Sequence, residues 1–118
     1  MIIGIGIDIT ELSRIKTMAA RQARFVDRIL TANEKAVYEA LSEKRKVEYL
    51  AGRFSAKEAF SKAYGTGIGK DLSFKDIETA THDSGKPIIV KPLKDGVHLS
   101  ISHSKEYAVA QVVIEQVN

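Results

Sequence analysis

The stretch KRKVEYLAGRFSAKEAFSKAYG, Lys44–Gly65, predicts one long helix around which the rest of the chain is arranged. Gly65 is typical of the glycine that ends a helix. Glu58 and Lys62 lie four residues apart, a spacing that by itself supports a helix by about 0.2 to 0.5 kcal/mol. The pair is therefore either a helix-stabilising contact or part of a site. The apolar residues recur at helical spacing: Val47, Leu50, Phe54 and Ala59.

The segment IIGIGIDI, at positions 2–9, predicts a strand near the N-terminus. Isoleucine occupies the odd positions from 3 to 9, while Gly4, Gly6 and Asp8 occupy even ones, which is the period of a strand with one apolar face. Glycine on the other face leaves room for a backbone or a ligand to approach closely. Asp8 therefore faces away from the isoleucines.

Between this strand and the long helix, apolar residues at helical spacing predict a first helix from Glu11 to about Leu30. Thr10 could cap its start, and Thr31 or Asn33 could cap the next helix, which begins in TANEKAVYEALSE. After Gly65 the chain is rich in branched residues. The expected strands are FKDIETAT, KPIIVK, VHLSISHS and YAVAQVVIE, separated by the turn segments HDSGKP, PLKDG and SKE.

This order predicts an α+β fold within a single domain, residues 1–118: one N-terminal strand, two to three helices including one long one, then an antiparallel meander of about four strands packed against the helices. The chain has 118 residues and no cysteine, which excludes disulfides, thiolate zinc sites and cysteine nucleophiles. No apolar run approaches the roughly 20 residues that span a bilayer, so we expect a cytoplasmic protein. The net charge of +3 favours an acidic partner: nucleic acid, a phosphorylated small molecule or an acidic protein.

Asp8 and Glu58 are the candidate metal ligands. Asp8 has an alternative role as a helix cap with Glu11, and Glu58 could instead form a capping box with Ser55. Glu58 lies in mid-helix, however, among small residues that would let a ligand approach. One carboxylate from a strand end and one from a helix suit Mg²⁺, which takes one or two carboxylates plus phosphate oxygens.

The segment GTGIGKD, at positions 65–71, resembles a phosphate-binding loop only superficially. A P-loop runs from a strand to a helix with four residues between its glycine and GK, whereas here a helix precedes and three residues intervene. Exposed glycine amides after a helix can still approach an anion. Ser102 and His103 are adjacent in a predicted strand and point to opposite faces, so they do not make a catalytic triad.

Two groups of basic residues are candidate anion sites. Lys44, Arg45 and Lys46, with Arg53 farther along the helix, form either a solvated face or a phosphate site. The first helix carries five basic residues against one Asp27, and Arg14, Arg21 and Arg28 recur every seven residues beside Met18, Gln22 and Phe25. Such a stripe is either a plain surface or a docking site for an acidic amphipathic helix.

These motifs together resemble those of the holo-[acyl-carrier-protein] synthases, the small class of 4'-phosphopantetheinyl transferases. The resemblance rests on GIGIDITELSRI, at positions 4–15, on RFSAKEAFSKAYGTGIG, at positions 53–69, and on the closing VHLSISHSKEYAVAQVVIE. It covers nearly the whole chain. It implies Mg²⁺-dependent transfer of phosphopantetheine from coenzyme A to a serine of apo-acyl carrier protein, releasing adenosine 3',5'-bisphosphate.

The resemblance also implies roles for individual residues. Asp8 and Glu58 would hold the metal, Lys62 would contact the phosphates, and all three would be catalytic. The base for the serine would be Glu58, a metal-bound water or a carboxylate on the partner. Expected to bind coenzyme A are Lys44, Arg45, Arg53, Ser55, Lys62, Gly65, Thr66, Gly67, Gly69, Pro87 and His103. Expected to dock the carrier are Arg14, Met18, Arg21, Gln22, Arg24, Phe25 and Arg28.

Members of this family assemble as trimers with the nucleotide between subunits, and the resemblance implies the same assembly here. Two other functions fit parts of the sequence. A basic nucleic-acid-binding module would explain the charge, but the strands lack the clustered aromatic residues that stack on bases. Another metal-dependent phosphoester enzyme could use the same carboxylates, but the additional ligands of a two-metal site are missing.

Overall fold

The computed structural model describes residues 1–117 and has the predicted α+β architecture. Strand β1 (Ile2–Glu11) is followed by four helices, α1 (Leu12–Arg21), α2 (Phe25–Ile29), α3 (Ala32–Glu39) and α4 (Glu43–Tyr64). A 3₁₀ turn (Phe74–Asp76) leads to strands β2 (Glu78–Thr81), β3 (Pro87–Lys91), β4 (Val97–His103) and β5 (Tyr107–Glu115). No helix among the described residues is long and apolar enough to cross a membrane.

The strands form two antiparallel sheets, where one continuous meander was expected. β1, β5 and β4 make a three-stranded sheet in that order, and β2 pairs only with β3. β5 is hydrogen-bonded along both edges, since Asp8 pairs with Ala110 on one side and Ile101 pairs with Ala110 on the other. β5 is therefore the central strand, and β1, which is far from it in the sequence, forms one edge of the sheet.

The predicted first helix is interrupted, because the chain becomes extended at Gln22 and turns before α2 begins. The turn allows Phe25 and Ile29 to enter the same core as Ile15 and Leu50. The next helix starts as expected at Thr31, whose hydroxyl accepts from the Glu34 N–H. α4 ends at Gly65, in the left-handed conformation with φ of 99°.

The glycine face of β1 lies directly on α4. A Cβ atom on Gly4 would overlap the carbonyl oxygen of Ala63, and one on Gly6 would overlap that of Ala59. The expectation that glycine admits another backbone is therefore confirmed. A core of Phe60, Ile77, Ile89, Val112 and Ile114 surrounds this contact, each such side chain contributing about 1.5 to 3 kcal/mol when fully buried.

The isoleucine face of β1 points the other way and is covered by no described residue of the chain. Ile3, Ile5, Ile7 and Ile9 are 57% to 63% exposed. β1 is also an edge strand, because its hydrogen-bonded partner in the sheet is β5 alone. This apolar face is hereafter called the isoleucine face.

Candidate active site

Asp8 lies on the face of β1 that packs against α4, and its side chain is 16% exposed. The Thr10 hydroxyl donates to Asp8 Oδ2 at 3.0 Å, and the Ser55 hydroxyl of α4 donates in turn to Thr10 at 2.7 Å. The helix-capping role for Asp8 is wrong, because the N-cap position of α1 is Glu11, whose side chain makes no capping hydrogen bond. The carboxylate is thus oriented by a hydroxyl relay from α4.

Glu58 is presented by α4 toward Asp8. Its partial burial raises the pKa of its carboxyl above the ordinary value, and the negative charge of Asp8 raises that pKa further, while Lys62 opposes both. A carboxylate in this setting favours a bound proton or a cation. Two like charges from different elements are therefore brought to one place.

Lys62 bonds to β1. Its Nζ donates to the Ile7 carbonyl at 2.9 Å and lies 3.5 Å from Asp8 Oδ1. The described residues contain no ion pair between Lys62 and Glu58, so the helix-stabilising role of that pair is not observed. The Lys62 side chain is 51% exposed, which leaves the ammonium free to move toward a bound anion.

The donor set fits a hard cation that brings most of its own ligands. Within residues 1–117 no three histidine or acidic side chains group closely enough to enclose a metal ion. Two carboxylates alone are the protein share that Mg²⁺ usually takes, with water and phosphate oxygens filling its other positions. Burial of Glu58 and the nearby Asp8 charge both raise the pKa of Glu58, and a divalent cation would offset both effects.

Ser55 corrects the predicted coenzyme A set. It is completely buried, and besides its bond to Thr10 it lies 3.5 Å from the Ala108 carbonyl oxygen. A buried hydroxyl beneath the sheet has no surface for a ligand. Ser55 instead acts on the site indirectly, by holding Thr10 against Asp8.

The glycine turn after α4 is open, but the amides of its glycines are already used. The N–H groups of Gly65 and Gly67 both donate to the Ser61 carbonyl, and that of Gly69 donates to Leu72. The idea that these amides hold an anion is therefore not supported. Thr66 is exposed, and Gly65, Gly67 and Gly69 leave free space beside the helix end, since a Cβ added at any of these glycines would touch nothing.

Lys44 and His103 line a cavity of about 1160 Å³ between α1, the start of α4 and the turn after β4. Lys16, Tyr38 and Lys105 also line it. His103 Nδ1 lies 3.9 Å from a Glu48 carboxylate oxygen, and its ring is about half exposed. The catalytic candidates Asp8, Glu58 and Lys62 do not line this cavity. The structure therefore separates the two halves of the predicted site within one chain.

The remaining predicted coenzyme A residues are dispersed and line neither place. Arg45 is mostly exposed and 3.9 Å from Glu48. The Arg53 guanidinium stacks over the Tyr49 ring at 4.5 Å, with its Nε buried and unpaired. Pro87 begins β3 and is half-buried.

The predicted docking residues lie on α1, α2 and the turn between them, and most are exposed. Phe25 is the exception: its side chain is 4% exposed and packs in the core beside Phe54, so its ring is closed to a partner. Met18 is half-buried. The interruption before α2 also breaks the seven-residue stripe, and Arg28 now bonds to Gln22 at 2.7 Å.

A buried ion pair next to the site was not predicted from the sequence. Lys57 and Glu34 meet at 2.6 Å, and neither side chain is more than 1% exposed. A signal was present, because Lys57 follows Leu50 by seven residues and Phe54 by three, which places it on the apolar stripe of α4. Glu34 is also the third residue of its helix, where it completes the capping box with Thr31.

Comparison with known proteins gives a consistent family assignment. Residues 4–113 match the model of the 4'-phosphopantetheinyl transferase superfamily. A holo-[acyl-carrier-protein] synthase of Bacillus velezensis is 63% identical over 100% of this chain and 99% of its own, and one of Bacillus subtilis is 62% identical over the same shares.

Solved structures agree with this assignment. The holo-(acyl-carrier-protein) synthase of Bacillus anthracis, solved in complex with CoA (3',5'-ADP), is 58% identical, with a TM-score of 0.92 over 99% of both chains. The Helicobacter pylori enzyme, solved in complex with coenzyme A, is 34% identical, with a TM-score of 0.80 over 94% of this chain and 99% of its own.

Proposed function

We infer function from one premise: the chain belongs to the 4'-phosphopantetheinyl transferase superfamily and is an enzyme of the holo-[acyl-carrier-protein] synthase class. We propose that its 118 residues act as one domain that transfers 4'-phosphopantetheine from coenzyme A to a serine of apo-acyl carrier protein. Adenosine 3',5'-bisphosphate is the other product. The reaction serves fatty acid biosynthesis in the cytoplasm.

The observation that carries this proposal is the convergence of Asp8, Glu58 and Lys62 on one contact between β1 and α4. Asp8 and Glu58 would hold Mg²⁺. When bound there, the ion would offset the negative charge of the pyrophosphate and polarise the phosphoryl group. The hydroxyl relay through Thr10 keeps the Asp8 carboxylate turned toward the same point.

The chain's own residues account for the proton and the leaving group. The serine oxygen forms a bond to the phosphorus that carries pantetheine, and the bond from this phosphorus to the bridging oxygen breaks. The electron pair leaves with adenosine 3',5'-bisphosphate, where Lys62 can donate to the phosphate oxygens and stabilise the charge. Glu58 is this chain's candidate to accept the serine proton.

The body of coenzyme A is assigned to the cavity that Lys44 and His103 line. The exposed Arg45, the half-buried Arg53, the glycine turn and Pro87 lie outside this cavity and would reach the coenzyme from a neighbouring subunit. Within one chain this cavity does not include the carboxylates. We therefore propose that each active site is shared between neighbouring subunits, so that the two halves meet across an interface.

The isoleucine face supports such an assembly. Four isoleucines more than half exposed on one edge strand form the kind of apolar patch that marks an interface. The number of subunits, three, rests on the family resemblance. The exposed arginines of α1 and α2 are the proposed docking surface for the acidic carrier, because complementary charge speeds encounter.

One experiment tests the function directly. The protein is incubated with apo-acyl carrier protein, coenzyme A and Mg²⁺, and the carrier is weighed by mass spectrometry. The carrier should gain the mass of one phosphopantetheine, and the gain should disappear when EDTA is added or coenzyme A is left out. A carrier of unchanged mass in the complete mixture would exclude the proposed reaction.

A further inference from the structure

Lys57, the residue directly before Glu58, is completely buried and bonded to three other elements. Its ammonium donates to the carbonyl oxygens of Ile29 at 2.6 Å and Phe74 at 3.0 Å, and to Glu34 Oε1 at 2.6 Å. An ammonium has three donors, so every one of them is used. Lys57 therefore has no donor left for a substrate.

Glu34 is equally well bonded. Its Oε1 also accepts the Thr31 N–H at 2.9 Å, and its Oε2 accepts both the N–H and the hydroxyl of Thr79, at 2.8 and 2.7 Å. Burial raises the pKa of Glu34, but the Lys57 charge and these hydrogen bonds outweigh burial and hold that pKa below its ordinary value. The carboxylate is thus charged and fully satisfied.

The pair joins the elements on which the proposed docking surface stands to the helix that carries Glu58. Ile29 ends α2, Thr31 and Glu34 begin α3, Phe74 begins the 3₁₀ turn, and Thr79 lies in β2. Three of these elements bond directly to Lys57 on α4, one residue before the proposed catalytic carboxylate, and β2 joins them through Glu34. α2 and the preceding turn carry exposed arginines that the carrier would contact.

Stability alone does not explain a buried ion pair at this junction. Apolar residues of similar volume often give equal or greater stability than a buried ion pair, because desolvation of the charges is costly. Apolar contacts, however, allow small sliding movements, whereas directional bonds to five acceptor and donor groups permit one arrangement. Fixed geometry is therefore what the pair adds.

We propose that Lys57, together with Glu34, is a positioning residue: it fixes α2 relative to Glu58, so that the serine of a docked carrier meets the phosphorus in line. The inference rests on the proposed transfer to a carrier protein. A displacement of about 1 Å between reacting groups can cost roughly a hundredfold in rate. Lys57 would maintain this alignment without touching either substrate.

The test removes both charges, in the double variant Lys57→Met/Glu34→Gln, and compares it with a matched control. The control is Asp27→Asn/Lys35→Met, which removes a half-exposed ion pair, 2.6 Å long, that also links α2 to α3. For the first variant, kcat/KM for the carrier should fall by about tenfold to a hundredfold while KM for coenzyme A stays within about twofold. In the control, kcat/KM for the carrier and KM for coenzyme A should both equal the wild-type values.

A distance measurement separates positioning from stability. The chain contains no cysteine, so Arg28→Cys on α2 and Tyr64→Cys at the end of α4 can be spin-labelled without further changes. In the folded double variant, the distribution of distances between the labels should broaden or shift. In the control it should stay as narrow as in the wild type.

The outcomes are distinct. An unchanged distance distribution, or carrier kinetics equal to those of the wild type, overturns the inference while leaving the transferase function intact. A wild type that modifies no carrier overturns the function itself. If the double variant does not fold, Thr79→Val is used instead, since it removes one hydrogen bond to Glu34 and leaves both charges of the pair in place; unchanged kinetics and distances there also overturn the inference.

Discussion

Lys62 reaches across to Asp8 on the neighbouring strand, 3.5 Å away, and bonds to the Ile7 carbonyl, although Glu58 lies one turn away on its own helix. The Lys62 ammonium thus contacts the same Asp8 carboxylate that would bind the proposed metal. Binding of a cation and binding of Lys62 at Asp8 are in competition, and a phosphate group offers Lys62 another partner.

Lys62→Met should consequently have opposite effects on catalysis and on metal affinity. Transfer should fall by roughly 10² to 10³, because a donor to the leaving group is lost. Affinity for Mn²⁺ without substrates, measured by electron paramagnetic resonance, should rise by roughly twofold to fivefold, as expected for removing an exposed ion pair. Weaker Mn²⁺ binding would argue against competition. Lys94→Met, in the exposed turn before β4, is the control and should change neither quantity.

Glu58→Gln should fold and lose transfer activity by about a hundredfold or more, since a proposed metal ligand is removed. Because the pKa of Glu58 is raised in the folded protein, the folded state binds this proton more readily than the unfolded chain. The free energy of unfolding of the wild type therefore falls as pH rises between the two pKa values. In EDTA the variant should be the more stable protein at pH 7, with the difference vanishing below pH 4.5, the ordinary value. Urea titrations across this pH range measure the difference in the free energy of unfolding. A variant that is less stable than the wild type at pH 7 would contradict the prediction.

Lys57→Met alone should lower the free energy of unfolding by about 3 to 5 kcal/mol, because it leaves the Glu34 charge buried without a partner. Adding Glu34→Gln should restore most of that loss, and a double-mutant cycle measured by urea unfolding gives the coupling. The pKa of Glu34 is lowered in the folded protein, so its stabilising contribution is present above the ordinary value of 4.5 and is lost as pH falls through the folded pKa. In the double variant, the free energy of unfolding should fall less steeply with decreasing pH than it does in the wild type. Additive effects of the two changes would contradict the coupling.

Arg14→Glu/Arg21→Glu should raise KM for the carrier by roughly tenfold, with little change in KM for coenzyme A, because only the carrier would contact this exposed surface. The effect should shrink as salt is added. Lys91→Glu/Lys94→Glu makes the same change in net charge on another exposed surface and is the control. Equal loss in the two variants would mean that overall charge, and not the α1 surface, attracts the carrier.

Ile7→Lys should dissociate the proposed oligomer without unfolding the chain, since the side chain is already 57% exposed within one subunit. Light scattering after size-exclusion chromatography measures the mass, and transfer activity should fall with it if active sites are shared. Val37→Lys, on α3 at 49% exposure, should leave the mass unchanged. A wild type that is monomeric at micromolar concentration would remove the basis for shared sites.

Patterns within short stretches of the sequence predicted those features that neighbouring residues determine. Gly65 ends α4, Thr31 begins α3, and the alternation in β1 placed Asp8 on the side opposite the isoleucines. The direction of that alternation could not be decided, because a row of isoleucines suggests a buried face. Here the glycine side is the buried one, since only glycine lets α4 approach so closely.

The errors concern contacts between residues far apart in the chain. Ser55 has the spacing of a site residue on α4, yet a strand 45 positions earlier buries it. Phe25 continued a helical pattern, and only the turn at Gln22 shows that its ring enters the core. The pairing of β1 with β5 likewise leaves no local signal.

Strand β1 and helix α4 touch through main-chain atoms, at Gly4 with Ala63 and at Gly6 with Ala59, so no side chain acts as a spacer between them. Asp8 and Glu58 project from these same two backbones. Changes in the volume of core residues can tilt the other elements without altering the separation of the two carboxylates. Homologues can therefore exchange most of their core and keep the same spacing between these two carboxylates, provided that these contact positions stay small.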